Sequence, residues 1–237
     1  KGFSSYGWTM NFNKTELDHL QAQWDALPNF VGDMNILPLV DVSGSMTSPA
    51  GGYASKSKVS CLDVAVSLGL YLADKNKGKF KDTFLTFSGN PELLHLKGNI
   101  VDKVNQMVRS EWAMNTDLHK ALNKILDVAR NGNVPQEEMP EMLLILSDMQ
   151  FDRCARYDDN AIQMIARKYN DAGYSMPKVV FWNLNAEYGN KPVKFNEQGV
   201  ALVSGFSPAL VKSLARVESF TPENVMMETI MSPRYDY

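Results

Sequence analysis

Several things are scarce in this chain, and each scarcity removes a class of function. Cysteine occurs twice, at Cys61 and Cys154, with no Cys-x-x-Cys spacing. A zinc ribbon or a disulfide framework is therefore excluded, and the two thiols read as reduced residues of a cytosolic protein. Histidine occurs three times, at His19, His95 and His119, too thinly spread to suggest a soft-metal centre. No run of about 18 apolar residues exists to span a bilayer, so no membrane partner is expected. The first residues, KGFSSYGWTM, lack the charged, apolar and small-residue order of a signal peptide. A chain that opens on Lys1 reads as a fragment or a processed product of something larger. Basic residues are not in excess: the formal charge is -3 and the pI about 5.7, which argues against a broad nucleic-acid footprint. Neither a GxxxxGK[ST] loop nor a GxGxxG fingerprint is present, so no nucleotide cofactor is expected.

What is present is an ordinary globular composition, 44% hydrophobic and 22% charged over 237 residues. That length suffices for one sizeable domain with extensions. The segment 15–27, TELDHLQAQWDAL, has Leu17, Leu20, Trp24 and Leu27 at helical spacing, with Thr15 as the expected N-cap. It reads as an N-terminal helical extension, residues 1–33, that ends at Pro28. From residue 34 apolar runs of strand length alternate with amphipathic segments. The predicted strands are 34–42, 82–88, 92–97, 141–149, 178–185 and 199–206; the predicted helices are 62–74, 100–108, 116–131, 160–171 and 208–217. Near-continuous apolar strands alternating with helices indicate an α/β fold with a mostly parallel sheet covered on both faces. The short link SGNPE, 88–92, joins antiparallel neighbours, which makes 92–97 an antiparallel edge strand. Pro38 is out of place in a central strand, because it removes a ladder donor. Residues 221–237 read as a short helix starting near Pro222 and a tail; Met226, Met227 and Met231 there either pack back on the domain or face a partner.

The chemistry is concentrated at strand ends. In a doubly wound sheet, ligands collect at the carboxyl ends of central strands. Asp41, Ser43 and Ser45 occupy alternate positions where the first apolar strand stops, around Gly44, which is expected to ease the turn. Ser147 and Asp148 follow MLLIL in the same way. Thr116 precedes the helix DLHKAL and reads either as its N-cap or as a further oxygen donor. Asp41, Ser43, Ser45, Thr116 and Asp148 together supply two carboxylates and three hydroxyls without His or Cys. Such a hard oxygen set suits Mg²⁺, Mn²⁺ or Ca²⁺ rather than zinc or copper. Mg²⁺ retains water, so hydroxyls can bind directly while aspartates act through water, leaving a position for a partner's oxygen.

LVDVSGSM, NTDLHKAL and LLILSDM resemble the three motifs of the von Willebrand factor A domain and its metal-ion-dependent adhesion site. The resemblance covers 34–220. It implies a Rossmann-like three-layer fold with a six-stranded central sheet and one antiparallel edge strand. It also implies a divalent cation held by Asp41, Ser43, Ser45, Thr116 and Asp148, and a partner carboxylate that completes the coordination. Within that superfamily, LSDMQFD resembles the Ro (TROVE) proteins, which bind small RNAs. VFWNLN and GVALVSGFSPALVKSL are closer to an uncharacterised eukaryotic and viral family with a C-terminal A domain.

Enzymatic alternatives fare worse on the residues. A haloacid dehalogenase-like phosphotransferase needs a second aspartate where Ser43 stands, so its proton donor is missing. Ser207 in GFSPA has a faint nucleophile-elbow context, but Pro208 makes it a helix cap and no histidine follows it. His95 reads as the polar face of an edge strand. His119, in the first turn of its helix, reads as a surface residue or as one facing a partner, and Asp152 as a solvated rim acid. The expected function is a non-enzymatic, cytoplasmic binding module that captures an acidic group of a protein partner. The alternatives are a Ro-like ribonucleoprotein component, which reaches RNA through a larger parent protein, and a viral structural or assembly protein located in the virion.

Overall fold

A computed structural model of the chain describes residues 12–52, 58–110, 117–148, 159–185 and 200–204, with 159–162 and 200–204 as backbone alone. The described strands are β1 (Ile36–Val40), β2 (Thr83–Thr86), β3 (Leu93–His95), β4 (Met142–Ser147), β5 (Lys178–Asn183) and β6 (Val200–Ser204). The helices are α1 (Lys14–Asp25), α2 (Cys61–Lys75), α3 (Ile100–Val108), α4 (Leu118–Gly132) and α5 (Asp159–Asp171). The strands form one six-stranded sheet in the order β3-β2-β1-β4-β5-β6. Every pairing is parallel except β2 with β3, the edge pair joined by the short 87–92 link. This is the predicted architecture, with β1 and β4 as central neighbours.

Strand alternation divides the core in two. Ile36, Val40, Leu144, Leu146 and Trp182 face the cluster that includes α2 and Met107 of α3. Leu37, Leu39, Leu143, Ile145 and Phe181 face the opposite cluster with α4 and α5. A strand covered on both faces has no place for polar residues, so ILPLV is apolar throughout and MLLILS until its last position. Helix α2 comes very close to β1. A Cβ on Gly69 would stand 2.6 Å from Val40 Cγ2, so this mid-helix glycine serves close approach rather than flexibility. Tyr169 of α5 donates a 2.7 Å hydrogen bond to Leu122 O of α4, and burial pushes its phenol well above the ordinary value.

Pro38 does lie in a central strand, and the sheet tolerates it for a visible reason. Asp41 N–H donates to Leu146 O on β4 (3.0 Å). Backbone groups alternate sides, so Ile36, Pro38 and Val40 turn theirs toward β2. The β1–β2 register begins only at Leu39, so the missing Pro38 donor faces a stretch without a ladder. Two residues earlier, buried Asn76 takes the place of a strand: its Oδ1 accepts from Ile36 N–H (2.8 Å) and its Nδ2 donates to Ile36 O (2.9 Å).

Three sequence expectations are corrected. Asn13, not Thr15, caps α1, because Asn13 Oδ1 accepts from Glu16 N–H (2.9 Å) while the Glu16 carboxylate accepts from Asn13 N–H (2.8 Å), a reciprocal box. Asp117, not Thr116, caps α4 and accepts from Lys120 N–H at 3.0 Å. Gly44 does not have a positive φ, and a Cβ there would meet nothing within 4 Å, so the turn after β1 makes no demand for glycine. The predicted helices 208–217 and 221 onward lie outside the described residues. The segment before β1 is tied to the domain. Tyr71 of α2 donates to Pro28 O (2.8 Å) and accepts from Phe30 N–H (2.7 Å), and Gln21 Oε1 accepts from Ile100 N–H (2.8 Å) at the start of α3.

Candidate functional site

The carboxyl ends of β1 and β4 are adjacent because Val40 pairs with Leu146. One residue further on each strand, Asp41 and Ser147 meet side chain to side chain: Ser147 Oγ donates to Asp41 Oδ2 at 2.7 Å. The other Asp41 oxygen accepts from Ser43 N–H at 2.9 Å, which folds the chain back into a short 3₁₀ turn, Gly44–Thr47. The turn brings the two serine hydroxyls together, with Ser43 Oγ 3.1 Å from Ser45 Oγ. It sends Met46 inward, where the side chain is fully buried. Met46 Sδ accepts the backbone N–H of Asp148 at 3.2 Å, a contact that ties the first motif to the third.

Of the five predicted residues, four are described and all four stand at this one end of the sheet; Thr116 lies outside the described residues, as do Asp152, Cys154 and Ser207. Asp41 and Asp148 are 3% and 5% exposed, whereas Ser43 and Ser45 are half-buried. The carboxylates thus lie deeper than the two serines, and the Ser43 hydroxyl is turned toward Asp41. Burial raises the Asp41 carboxyl above its usual value; hydrogen bonds from Ser43 and Ser147 oppose the shift, and the charge of Asp148 adds to it. A buried carboxylate that feels a second negative charge is stabilised by a proton or by a cation.

Among the described residues no group of three or more His, Cys, Asp or Glu side chains gathers to hold a metal. The donors here are two carboxylates with hydroxyls, and that mixed set fits a hard, partly hydrated divalent cation rather than zinc. Ser147, noted in the sequence but not counted among the ligands, turns out to hold Asp41. Met46 was missed altogether, since nothing in its spacing marks a thioether as an acceptor. At the neighbouring strand end, Asn183 Oδ1 accepts from Asn185 N–H (3.0 Å); the signal available in sequence was polar residues ending the apolar run VVFW, the pattern already read at MLLILSD. His95 lies on the exposed edge strand with Nδ1 3.3 Å from Thr83 Oγ1, and His119 is half-buried in the first turn of α4.

Comparison with known proteins agrees with this geometry at the level of fold. The Deinococcus radiodurans Ro (RSR) protein superposes with a TM-score of 0.59 at 16% identity, over 86% of this chain and 38% of that one. It shares the von Willebrand A-like arrangement. The uncharacterized protein L728 of Acanthamoeba polyphaga mimivirus is 31% identical over 226 residues, which is 92% of this chain. The chain spans only 38% of the length of that viral relative. Among the described residues no helix is long and apolar enough to cross a membrane. The family model described as a domain of unknown function, DUF7788, matches residues 35–232, and the chain belongs to that family.

Proposed function

We propose that this domain is a non-enzymatic binding module, working inside the cell, that captures an acidic group of a protein partner through a divalent cation held by Asp41, Ser43, Ser45, Thr116 and Asp148. One observation carries the reading: two buried acids and two half-buried serines converge where β1 and β4 end, with Asp41 bonded to Ser147. Asp41 and Asp148 supply the charge and hold the hydration shell. The Ser43 and Ser45 hydroxyls supply neutral oxygens. When bound, the cation provides an electrophilic point for a carboxylate. The resemblance of NTDLHKAL to the second von Willebrand A motif supports adding Thr116 to the set.

Mg²⁺ and Mn²⁺ are favoured over Ca²⁺ because the donor set is small and contains few charged groups. Mn²⁺ titration followed by paramagnetic resonance tests the reading, with Asp41→Ala as the control. Binding of one ion by the native domain and none by Asp41→Ala, with unchanged circular dichroism, supports it. An array of Asp- and Glu-bearing peptides set against their Asn and Gln counterparts then tests the ligand class; retention unchanged in EDTA overturns it.

The fold shared with a Ro protein motivates a second reading, a ribonucleoprotein component. The formal charge of -3 argues against a broad electrostatic footprint on this domain, so such a role would fall to a larger parent protein. Gel-shift with small structured RNAs separates the two: RNA retained in EDTA by the full-length parent favours the second reading, and no shift disfavours it.

A further inference from the structure

Asn185 stands just beyond the end of β5, beside the site. It is 3% exposed, and its Oδ1 is buried without a hydrogen-bond partner. Protein interiors rarely leave a polar atom so, and each instance calls for a missing water, ion or ligand. Its surroundings are not slack. Asn185 N–H donates to Asn183 Oδ1 (3.0 Å). The preceding residue, Leu184, donates its N–H to Ser147 O (3.0 Å) and accepts from Gly51 N–H (2.8 Å) at its own carbonyl. The end of β5 is thereby tied both to β4 beside Asp41 and to the loop that leaves Ser45. The register Ser147↔Asn183 brings together the chain segments that carry Asp148, one residue past β4, and Asn185, two residues past β5.

We propose that Asn185 is a positioning residue of this site, whose amide oxygen accepts a hydrogen from a water in the cation's hydration shell on the β5 side of Asp148. The inference rests on the cation reading above. A neutral amide oxygen orients such a water without adding a third negative charge to a site that already holds two buried acids. Because Mg²⁺ and Mn²⁺ keep several waters while Ca²⁺ takes more protein oxygens directly, the amide favours the smaller ions.

The test is Mn²⁺ and Ca²⁺ affinity, with metal-free melting temperature, in the native domain, Asn185→Leu and Asn185→Asp. Loss of a group that orients a ligand through an intermediary weakens metal binding by roughly tenfold or more. In Asn185→Leu, Mn²⁺ binding is expected to weaken about tenfold, Ca²⁺ binding less, and the metal-free melting temperature to hold or rise, since an unsatisfied acceptor has gone. Asn185→Asp should bind Mn²⁺ more tightly and melt lower without metal. Equal weakening of both ions together with a lower metal-free melting temperature in Asn185→Leu, or unchanged Mn²⁺ affinity in both variants, overturns the assignment while leaving the cation reading intact. A native domain that binds no Mn²⁺ overturns both.

Discussion

Ser147 Oγ donates a 2.7 Å hydrogen bond to Asp41 Oδ2, joining two residues that are 106 positions apart, one ending the central strand β4 and the other directly following β1. Both side chains are buried. In Ser147→Ala the acid keeps its burial and loses a charge-assisted donor, so stability at neutral pH should fall by about 1–3 kcal/mol. Urea unfolding at pH 7 measures it. The loss should shrink in acid, where Asp41 is protonated; an equal loss at both pH values would show that the serine supports packing and not the carboxylate.

The Asp41 carboxyl is raised above 3.8, chiefly by burial. Between the ordinary and the raised value the folded chain holds a proton that the unfolded chain has released. Metal-free stability contributed by Asp41 is therefore fully present below the ordinary value, declines as pH rises through that window, and levels off above the raised value. Melting temperature against pH in chelator, native minus Asp41→Asn, should show that decline. On the proposed function, cation affinity runs the other way and rises with pH through the raised value, because protons compete for the same carboxylate.

Asn76 serves as a substitute strand for Ile36. Asn76→Ala strands a buried N–H and a buried carbonyl together, and stability should drop by about 2–4 kcal/mol. Equilibrium denaturation measures it. A loss under about 1 kcal/mol would mean that water reaches this end of β1 and the amide is dispensable.

Two glycines near the site should respond in opposite ways. Gly69→Ala drives a Cβ to 2.6 Å from Val40 Cγ2, beside Asp41, and should cost about 1–3 kcal/mol from overpacking even though alanine is the better helix former. Gly44→Ala meets no atom within 4 Å and should shift stability by less than about 0.5 kcal/mol. Paired thermal melts of the two variants decide this, and equal effects would contradict the close α2–β1 approach.

The order of strands and helices was legible because burial on both faces forces continuous apolar runs, and amphipathic helices must follow each parallel strand. Hence ILPLV, MLLILS and KVVFWN read as central strands, and the short 88–92 link marked the antiparallel edge. Oxygen-bearing residues at the ends of those runs were equally visible, since nothing in a packed core accounts for Asp41, Ser43, Ser45 or Asp148 at those positions. Caps were less legible. Thr15 and Thr116 are plausible by type, but Asn13 and Asp117 have the geometry, and capping depends on which residue leaves the helix backbone at the right angle.

What the linear chain determined by itself is therefore the strand pattern and the chemical class of its polar ends. What the tertiary structure alone decided is contact: that Ser147 holds Asp41, that the Met46 sulfur receives the Asp148 amide, that Asn76 pairs with Ile36 at the start of β1, and that the Asn185 oxygen is buried just past the end of β5. The physical reason is range. Periodicity and propensity act over one or two turns of chain, whereas each of these contacts spans 40 or more residues or belongs to a strand end set by sheet register. No local pattern encodes which side chains such a register brings together.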